Sequence, residues 1–565
     1  MTFTIYVALT KNLVFARRCP CSSPSVPIKQ KKQLNSIVSN LNKVMLSLSF
    51  FIFLLWSQVG AQNIMERARR RRRPARATAM YNEMCLSNNR NPSHTPCMCD
   101  FLRTVEEGIY DMPSHRGSEI PCINSTIDTG DYQYPCQNVV LLSMVSLSEL
   151  LQGGDNEEGS DCWGWTASTG EEIAIIGLES MVGFVDITDP VNPIYLGRLP
   201  ARGNRSYWHD IKVYGDYAFI VSENNNHGMQ VIEMTHMVGL DVSQGPVIFA
   251  ETVHFSNFAT AHNIFIHEET GYAYVVGSNM CESGLYIIDI KDPLSPTFEA
   301  CFSEDGYVHD VQCVIYKGAD IRYTGREICF SCNTDTVTII DVTDKSNMVM
   351  LSRTTYVNVA YTHQGWLTED HNTFFFGDEN DEMNHNMKTR TMVLNVKDHR
   401  NPIVVGAYTG ATSAIDHNLY VFGNYIYEGN YANGLEVLRM GDSIDRKADL
   451  KQVAQFDSYP EGKASTFNGA WSVFPYFASG NVIISDINRG LIVVRVDTEG
   501  ADPPIKADLT CYKAEASCGL LDRRKGFFMN RPSFTGLFCR RRCIPEEDIE
   551  RRLSAGWKCG RCRDE

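Results

Sequence analysis

GFVDITDPVNPIYLG (183–197), LYIIDIKDPLSPTFEA (285–300), VTIIDVTDKSNMVMLS (337–352) and TMVLNVKDHRNPIVVG (391–406) share one pattern. Each begins as an apolar run, meets an acidic or amide residue, turns through a pair such as Asp-Pro, Asp-Lys or Asp-His, and resumes as a second apolar run. Apolar segments of this length bounded by Asp, Pro and Gly are what strands and their tight turns require. Upstream of each lies another short strand, such as AFIVS (218–222) or AYVVGS (273–278). Further upstream stands a histidine followed by Asp, Asn or Gln: His209-Asp210, His262-Asn263, His309-Asp310, His363-Gln364 and His417-Asn418, separated by 53, 47, 54 and 54 residues. A period of about 50 residues that holds four short strands is the signature of a β-propeller blade.

The sequence therefore predicts an all-β fold, a seven-bladed β-propeller with small cysteine-rich N- and C-terminal extensions. The inner strands are expected to begin near Trp163, His209, His262, His309, His363, His417 and Trp471. The last repeat lacks a fourth strand, because after LIVVRV (491–496) the chain turns polar. An open edge invites pairing, and the strand-like VVLLSMVSL (139–147), placed before the first blade, is the natural piece to close it. Four regions follow: a leader with signal peptide or signal anchor (1–61), a cysteine-containing polar region (62–135), the propeller (136–497) and a basic cysteine-rich module (498–565).

Composition bounds the setting. Residues 46–56, LSLSFFIFLLW, followed by Val59-Gly60-Ala61, have the form of a secretory signal. The basic stretch ahead of Met45 leaves open whether translation starts at Met1 or Met45, and whether the apolar segment remains as an anchor, the one route to a membrane. The run Arg69–Arg73 is either a protease site or a solvated leader. Residues 1–61 carry seven positive charges and no negative ones, so their removal moves the formal charge from −15 to −22 and argues against a nucleic-acid partner. Of 19 cysteines, 17 follow the signal. They form two groups of six that fit disulfide frameworks, Cys85 to Cys162 and Cys511 to Cys562, and an odd middle group of Cys281, Cys301, Cys313, Cys329 and Cys332. Asn124 and Asn204 head glycosylation sequons. Together these features place the protein outside the cell or at its surface.

GFVDITDP and LYIIDIKDP resemble LVIVD repeats. DIKVYGDYAFIVSE (210–223), GYVHDVQCVIYKG (306–318), GREICF (325–330), YTHQGWLTEDH (361–371), AIDHNLYVFGNYIYEGNY (414–431) and FNGAWS (467–472) resemble the choice-of-anchor B family over about 134–497. That resemblance implies an exported, surface-associated propeller with no assigned reaction, its members attached to the cell envelope by differing C-terminal signals. Here the C-terminus carries the cysteine-rich tail instead.

In a propeller the start of the innermost strand and the turn after the second strand share one face. The candidate rim thus comprises His209, His262, His309, His363 and His417 with Glu223, Asp378, Glu379, Glu428 and Asp486. Carboxylates and imidazoles converging on a channel mouth make a cation site, with Ca²⁺ the expected ion outside the cell. The same residues could instead pin buried backbone at strand starts. Function divides accordingly. One reading is a binding or adhesion scaffold for a surface glycan or protein ligand; the other is an extracellular metal-dependent hydrolase of the lactonase-like propeller type. No Gly-rich phosphate loop, nucleophile elbow or HExxH motif is present.

Overall fold

The computed structural model describes Ala77, residues 95–497 apart from Glu107, Asp111, Asp445 and Lys463, and the backbone of three paired strands, Ala516–Ser517, Lys525–Arg531 and Arg540–Pro545. The apolar segment 46–61, the Arg69–Arg73 run and the expected cysteine framework of Cys511 to Cys562 lie outside the described residues. Among those described, no helix is long and apolar enough to cross a membrane.

Seven antiparallel sheets form the blades of a propeller. Their inner strands are Gly159–Thr166, His209–Tyr214, Asn263–His267, Asp310–Ile315, Thr362–Leu367, Asn418–Phe422 and Ala470–Phe474. The second strands, such as Glu172–Leu178, Thr373–Asp378 and Asn481–Asp486, are buried along their whole length because a neighbouring blade covers each face. This is why they read as continuous apolar runs. Outermost strands such as Thr297–Phe302 and Val349–Thr354 are instead mostly exposed or half-buried.

The acidic turns that define the repeat have a local cause. Asp186 accepts the N–H of Thr188 (2.8 Å), Asp289 that of Lys291 (3.0 Å), and Asp341 that of Thr343 (3.1 Å), while Asn395 does the same for Lys397 (3.0 Å). The second acid of each motif repeats the device: Asp292 accepts from Leu294 (3.1 Å), Asp344 from Ser346 (3.0 Å) and Asp398 from Arg400 (3.0 Å). Two Asx turns in succession reverse the chain between the third and fourth strands. The pairing that follows carries a bulge in six blades, at Val185, Ile288, Ile340, Leu394, Leu438 and Val494. Blade two departs from the pattern. Between its third and fourth strands the chain makes an excursion in which Val247–Ile248 pairs parallel to the outer strand of blade one, opposite Gly197 and Arg198. Gly197 has φ 147°, and a Cβ there would stand 2.0 Å from the Val247 carbonyl oxygen.

Ring closure follows the sequence expectation. Val139–Val145 pairs antiparallel with Gly490–Val496, Val145 opposite Leu491 and Val139 opposite Val496, and supplies the missing fourth strand of blade seven. The strand just before it, Gln133–Gln137, pairs instead with the outer strand of blade six. Consecutive N-terminal segments thus staple two adjacent blades. Arg489 reinforces the staple: wholly buried, it faces the rings of Tyr132, Tyr134 and Tyr459 at 5.3–5.6 Å and pairs with Glu461 at 2.8 Å.

Two sequence expectations need correction. Trp163 does not mark the start of blade one's inner strand, the place that histidine holds in blade two. That strand begins at Gly159, a bulge separates Gly159 from Cys162, and Ser160 takes the place, with Asp161 answering to Asp210. Trp163 sits deeper in the channel, packed on Phe474 (5.0 Å) and Tyr420 (5.6 Å). Nor do all six cysteines of the first group pair, since Cys162 is a buried free thiol. The disulfides with both partners among the described residues are Cys122–Cys136, Cys281–Cys301 and Cys313–Cys329; Cys99 is also disulfide-bonded, and Cys332 is the odd thiol of the middle group. Cross-links of this kind persist in an oxidising compartment.

Candidate functional site at the channel mouth

The histidine dipeptides divide their work between two directions. The second residue reaches the next blade. Asp210 accepts the Ile264 N–H (2.6 Å), Gln364 accepts the Leu419 N–H (2.9 Å) and donates to the Leu419 carbonyl (3.0 Å), and Asn263 donates to Asp310 (2.7 Å). Asp161 makes the equivalent bond to Ile211 (3.3 Å). Lys212 threads this tier, 2.5 Å from Asp210 and 3.4 Å from Asp161, with its ammonium 4.7 Å from the Trp163 ring centre. Despite burial, Asp161 and Asp210 hold the Lys212 ammonium above its ordinary range. These residues pin architecture.

The histidines face the mouth. Four stand in sequence around it, with ring centres 4.1 Å apart for His262 and His309, 4.2 Å for His309 and His363, and 4.3 Å for His363 and His417. Each comes from the start of a different inner strand, which is why one repeated position becomes a contiguous imidazole arc. His309 Nδ1 bonds the His363 carbonyl (2.9 Å), and His417 Nδ1 bonds the Trp471 carbonyl (2.5 Å). Trp471 thus occupies the histidine place of blade seven, as expected.

Glu379, from the turn after the second strand of blade five, enters between two of the rings. Its Oε2 is 3.7 Å from His363 Nε2 and its Oε1 is 3.5 Å from His417 Nε2. One ligand atom from each of the three lies within 4.8 Å of the other two. Tyr431 donates to Glu379 Oε1 (2.9 Å) and orients it. Burial, with the neighbouring His417 and His262, drives His363 well below the ordinary imidazole range; burial also takes His417 down to about 3. Both rings are neutral at physiological pH. A carbonyl can only accept, so His417 Nδ1 carries the proton and Nε2 turns its lone pair toward Glu379. Two acceptors therefore face each other at 3.5 Å.

The remaining rim residues are placed differently. Glu223 joins the arc through His262, its Oε1 lying 2.5 Å from Nδ1. His209 stands apart from the cavity beside His227, with ring centres 5.7 Å apart. Asp378 is turned onto backbone and accepts from the N–H groups of Ala360 and Tyr361 and from the Tyr356 hydroxyl, each at 2.7 Å. Glu428 accepts from Thr391 (2.7 Å) and Asn430 (3.0 Å), and burial beside Glu436 pushes it up to about 8. Asp486 accepts the Asn488 N–H (2.9 Å), and burial raises it against the pull of Arg489. Asn124 and Asn204 are exposed.

A lid that sequence patterning missed closes the site. Helix Thr95–Thr104 lies over the mouth, and Phe101 packs on Trp208 (5.3 Å), Tyr207 (5.4 Å), Phe467 (5.6 Å) and Trp471 (5.8 Å). Its C-terminal end is clamped: Glu106 N–H donates to Asn468 (2.7 Å), Tyr459 donates to the Glu106 carboxylate (2.6 Å) and Asn488 to its carbonyl (3.1 Å). The cavity beneath, lined by the four histidines, Glu379, Tyr361, Tyr431, Trp208, Trp471 and Phe101, measures about 20 Å³. That is room for one water or one ion.

Fold and site together define a seven-bladed β-propeller with a capped, imidazole-lined mouth. It carries LVIVD repeats, since residues 207–227 and 260–302 match that repeat family. Solved structures similar to this chain include the hydrazine synthase of Kuenenia stuttgartiensis (13% identity, 59% of this chain and 94% of that one, TM-score 0.41). A protein from Lactobacillus plantarum is similar at 14% identity, covering 59% and 91%, with TM-score 0.39. A functionally unknown protein from Desulfotomaculum acetoxidans is similar at 11%, covering 56% and 92%, with TM-score 0.36. No curated protein matches the chain.

Proposed function

We propose that the protein is an exported propeller scaffold of the choice-of-anchor B type, acting outside the cell or at its surface on a glycan or protein ligand. In this reading a transition-metal ion, held by His363, His417 and Glu379, locks the channel mouth. The observation that carries the metal is the convergence of one ligand atom each from His363, His417 and Glu379 to within 4.8 Å of one another. A neutral Nε2 lone pair and a carboxylate oxygen 3.5 Å apart can share one cation between them. Ligand atoms about 2.0–2.2 Å from a tetrahedral ion stand about 3.3–3.6 Å apart, close to the 3.5 and 3.7 Å found here. Imidazole nitrogen with one carboxylate oxygen suits Zn²⁺ or a neighbouring first-row metal better than the Ca²⁺ expected from sequence, which takes oxygen donors.

The lid supports the scaffold reading over the hydrolase. A cavity of about 20 Å³ beneath Phe101 admits an ion or a water and no organic substrate. One feature favours hydrolysis: three protein ligands and an open fourth position are the pattern of catalytic zinc. Elemental analysis of purified protein, wild type and His363→Ala, tests the metal. A stoichiometric first-row metal that disappears in the variant supports it, and a metal-free wild type that takes up no zinc refutes it. Ester or lactone hydrolysis appearing in Phe101→Ala would favour the enzyme over the scaffold.

A further inference from the structure

Behind the imidazole arc, between blades five and six, lies a second cluster of a different kind. Asp381 and Glu382 open the short helix Asp381–His385, and Asp416 precedes His417; one carboxylate oxygen from each lies within 4.8 Å of the others. All three are buried, Glu382 at 2% and Asp416 at 4% exposure. Arg390 binds Asp381 through Nε at 2.6 Å. Among the described residues, no hydrogen bond reaches either oxygen of Glu382, either oxygen of Asp416 or Oδ1 of Asp381. Asp378, whose carboxylate is committed to backbone, adds a further negative charge nearby. Among the described residues, one guanidinium therefore faces four buried carboxylates. Buried carboxylates without donors are costly, and an ion is one of the few things that explains them.

The backbone supplies an independent sign that this geometry is built. Residue 377, on the second strand of blade five, is glycine, and a Cβ there would stand 2.0 Å from Asp416 Oδ2. The Asp416 carboxylate thus occupies space that any other residue would fill, and it is held in the cluster. The side-chain oxygen of Asn380, next in sequence to Asp381 and 2% exposed, also lacks a donor.

We propose that Asp381, Glu382 and Asp416 form a hard-cation site that takes Ca²⁺, separate from the imidazole site. Oxygen-only donors select Ca²⁺, the divalent ion abundant outside cells, and its charge offsets the excess that Arg390 leaves. Calorimetric titration of chelator-stripped full-length protein with CaCl₂ at pH 7.5, paired with thermal melting, tests this. The expected result is one Ca²⁺ per chain and a rise in Tm. Binding should weaken about tenfold or more in Glu382→Gln and in Asp416→Asn. If stripping fails, stoichiometric Ca²⁺ in purified wild type and its loss in either variant support the site equally. His363→Ala, which empties the imidazole site, should keep the Ca²⁺ response, so the two proposals fail separately. A wild type that holds no Ca²⁺ and shows neither heat nor a Tm shift, or variants that respond like wild type, would overturn the proposal. In the first case protons shared between Glu382 and Asp416 balance the cluster.

Discussion

The mid-channel tier and the channel mouth are built from the same repeated dipeptide, yet they handle charge in opposite ways. In the tier, Lys212 sits among Asp161 and Asp210 with Asp310 close by, and each acid also serves a neighbouring blade or side chain. At the mouth, Glu379 faces a lone pair of His417, and behind it Glu382 and Asp416 face other carboxylates. Charge compensated from within marks architecture; carboxylates without donors, as at Glu382 and Asp416, mark a place for something else.

The largest test removes the internal cation. Lys212→Met leaves the buried aspartates unpaired and should cost about 3–5 kcal/mol, read from urea unfolding at neutral pH. A loss below about 1 kcal/mol would mean the tier is no more committed than the mouth. Phe101→Ala should loosen the lid by about 3 kcal/mol, seen as faster amide exchange in residues 95–104 with little change in the global transition. Glu379→Gln should have a smaller effect on folding than Lys212→Met. Its metal-free stability should change by about 1 kcal/mol or less, and its melting temperature should no longer respond to zinc.

A separate test concerns protons. Burial, with Asp210 nearby, raises Asp310 to about 8, and burial beside Glu436 raises Glu428 to about 8. Each is protonated in the folded state at pH values where the unfolded chain has already released its proton. Their contribution is fully present below about pH 4, is lost as pH climbs, and is gone above about 8. Glu428→Gln should flatten that decline by about 1 kcal/mol or more, measured by denaturation at pH 5, 6.5 and 8. An unchanged slope would place the proton elsewhere.

Blade number, strand order and ring closure were legible because the double Asx turns at Asp186, Asp289 and Asp341 and the buried second strands impose fixed residue types at fixed spacing. The histidine register was legible in five blades. It slipped at Trp163 because a bulge at Ser160 and Asp161 replaced histidine with serine and left the more conspicuous tryptophan just beyond. Glu379 could be named from its turn, but its convergence on His363 and His417 depends on the stagger between blades, which no local pattern records. The lid was missed because TPCMCDFLRT (95–104) is short and mixed in polarity. Its anchor is one aromatic ring that finds its partners more than a hundred residues away. Asp416 was hidden by its neighbour, since the His-Asn pair that follows draws the eye.

The strand Val139–Val145 meets its partner Gly490–Val496 only after about 350 further residues have been made. At about 5–20 residues per second, that is on the order of half a minute of synthesis. Throughout it the first apolar strand, paired on one edge with Ile120–Pro121, has no neighbour on the other, and blades one to six must stack as an open arc. Ring closure is therefore a late, single event that reports on a complete chain. A product stopped before 490 would keep one bare strand edge at each end of its arc, two sticky edges by which a quality-control system could recognise it.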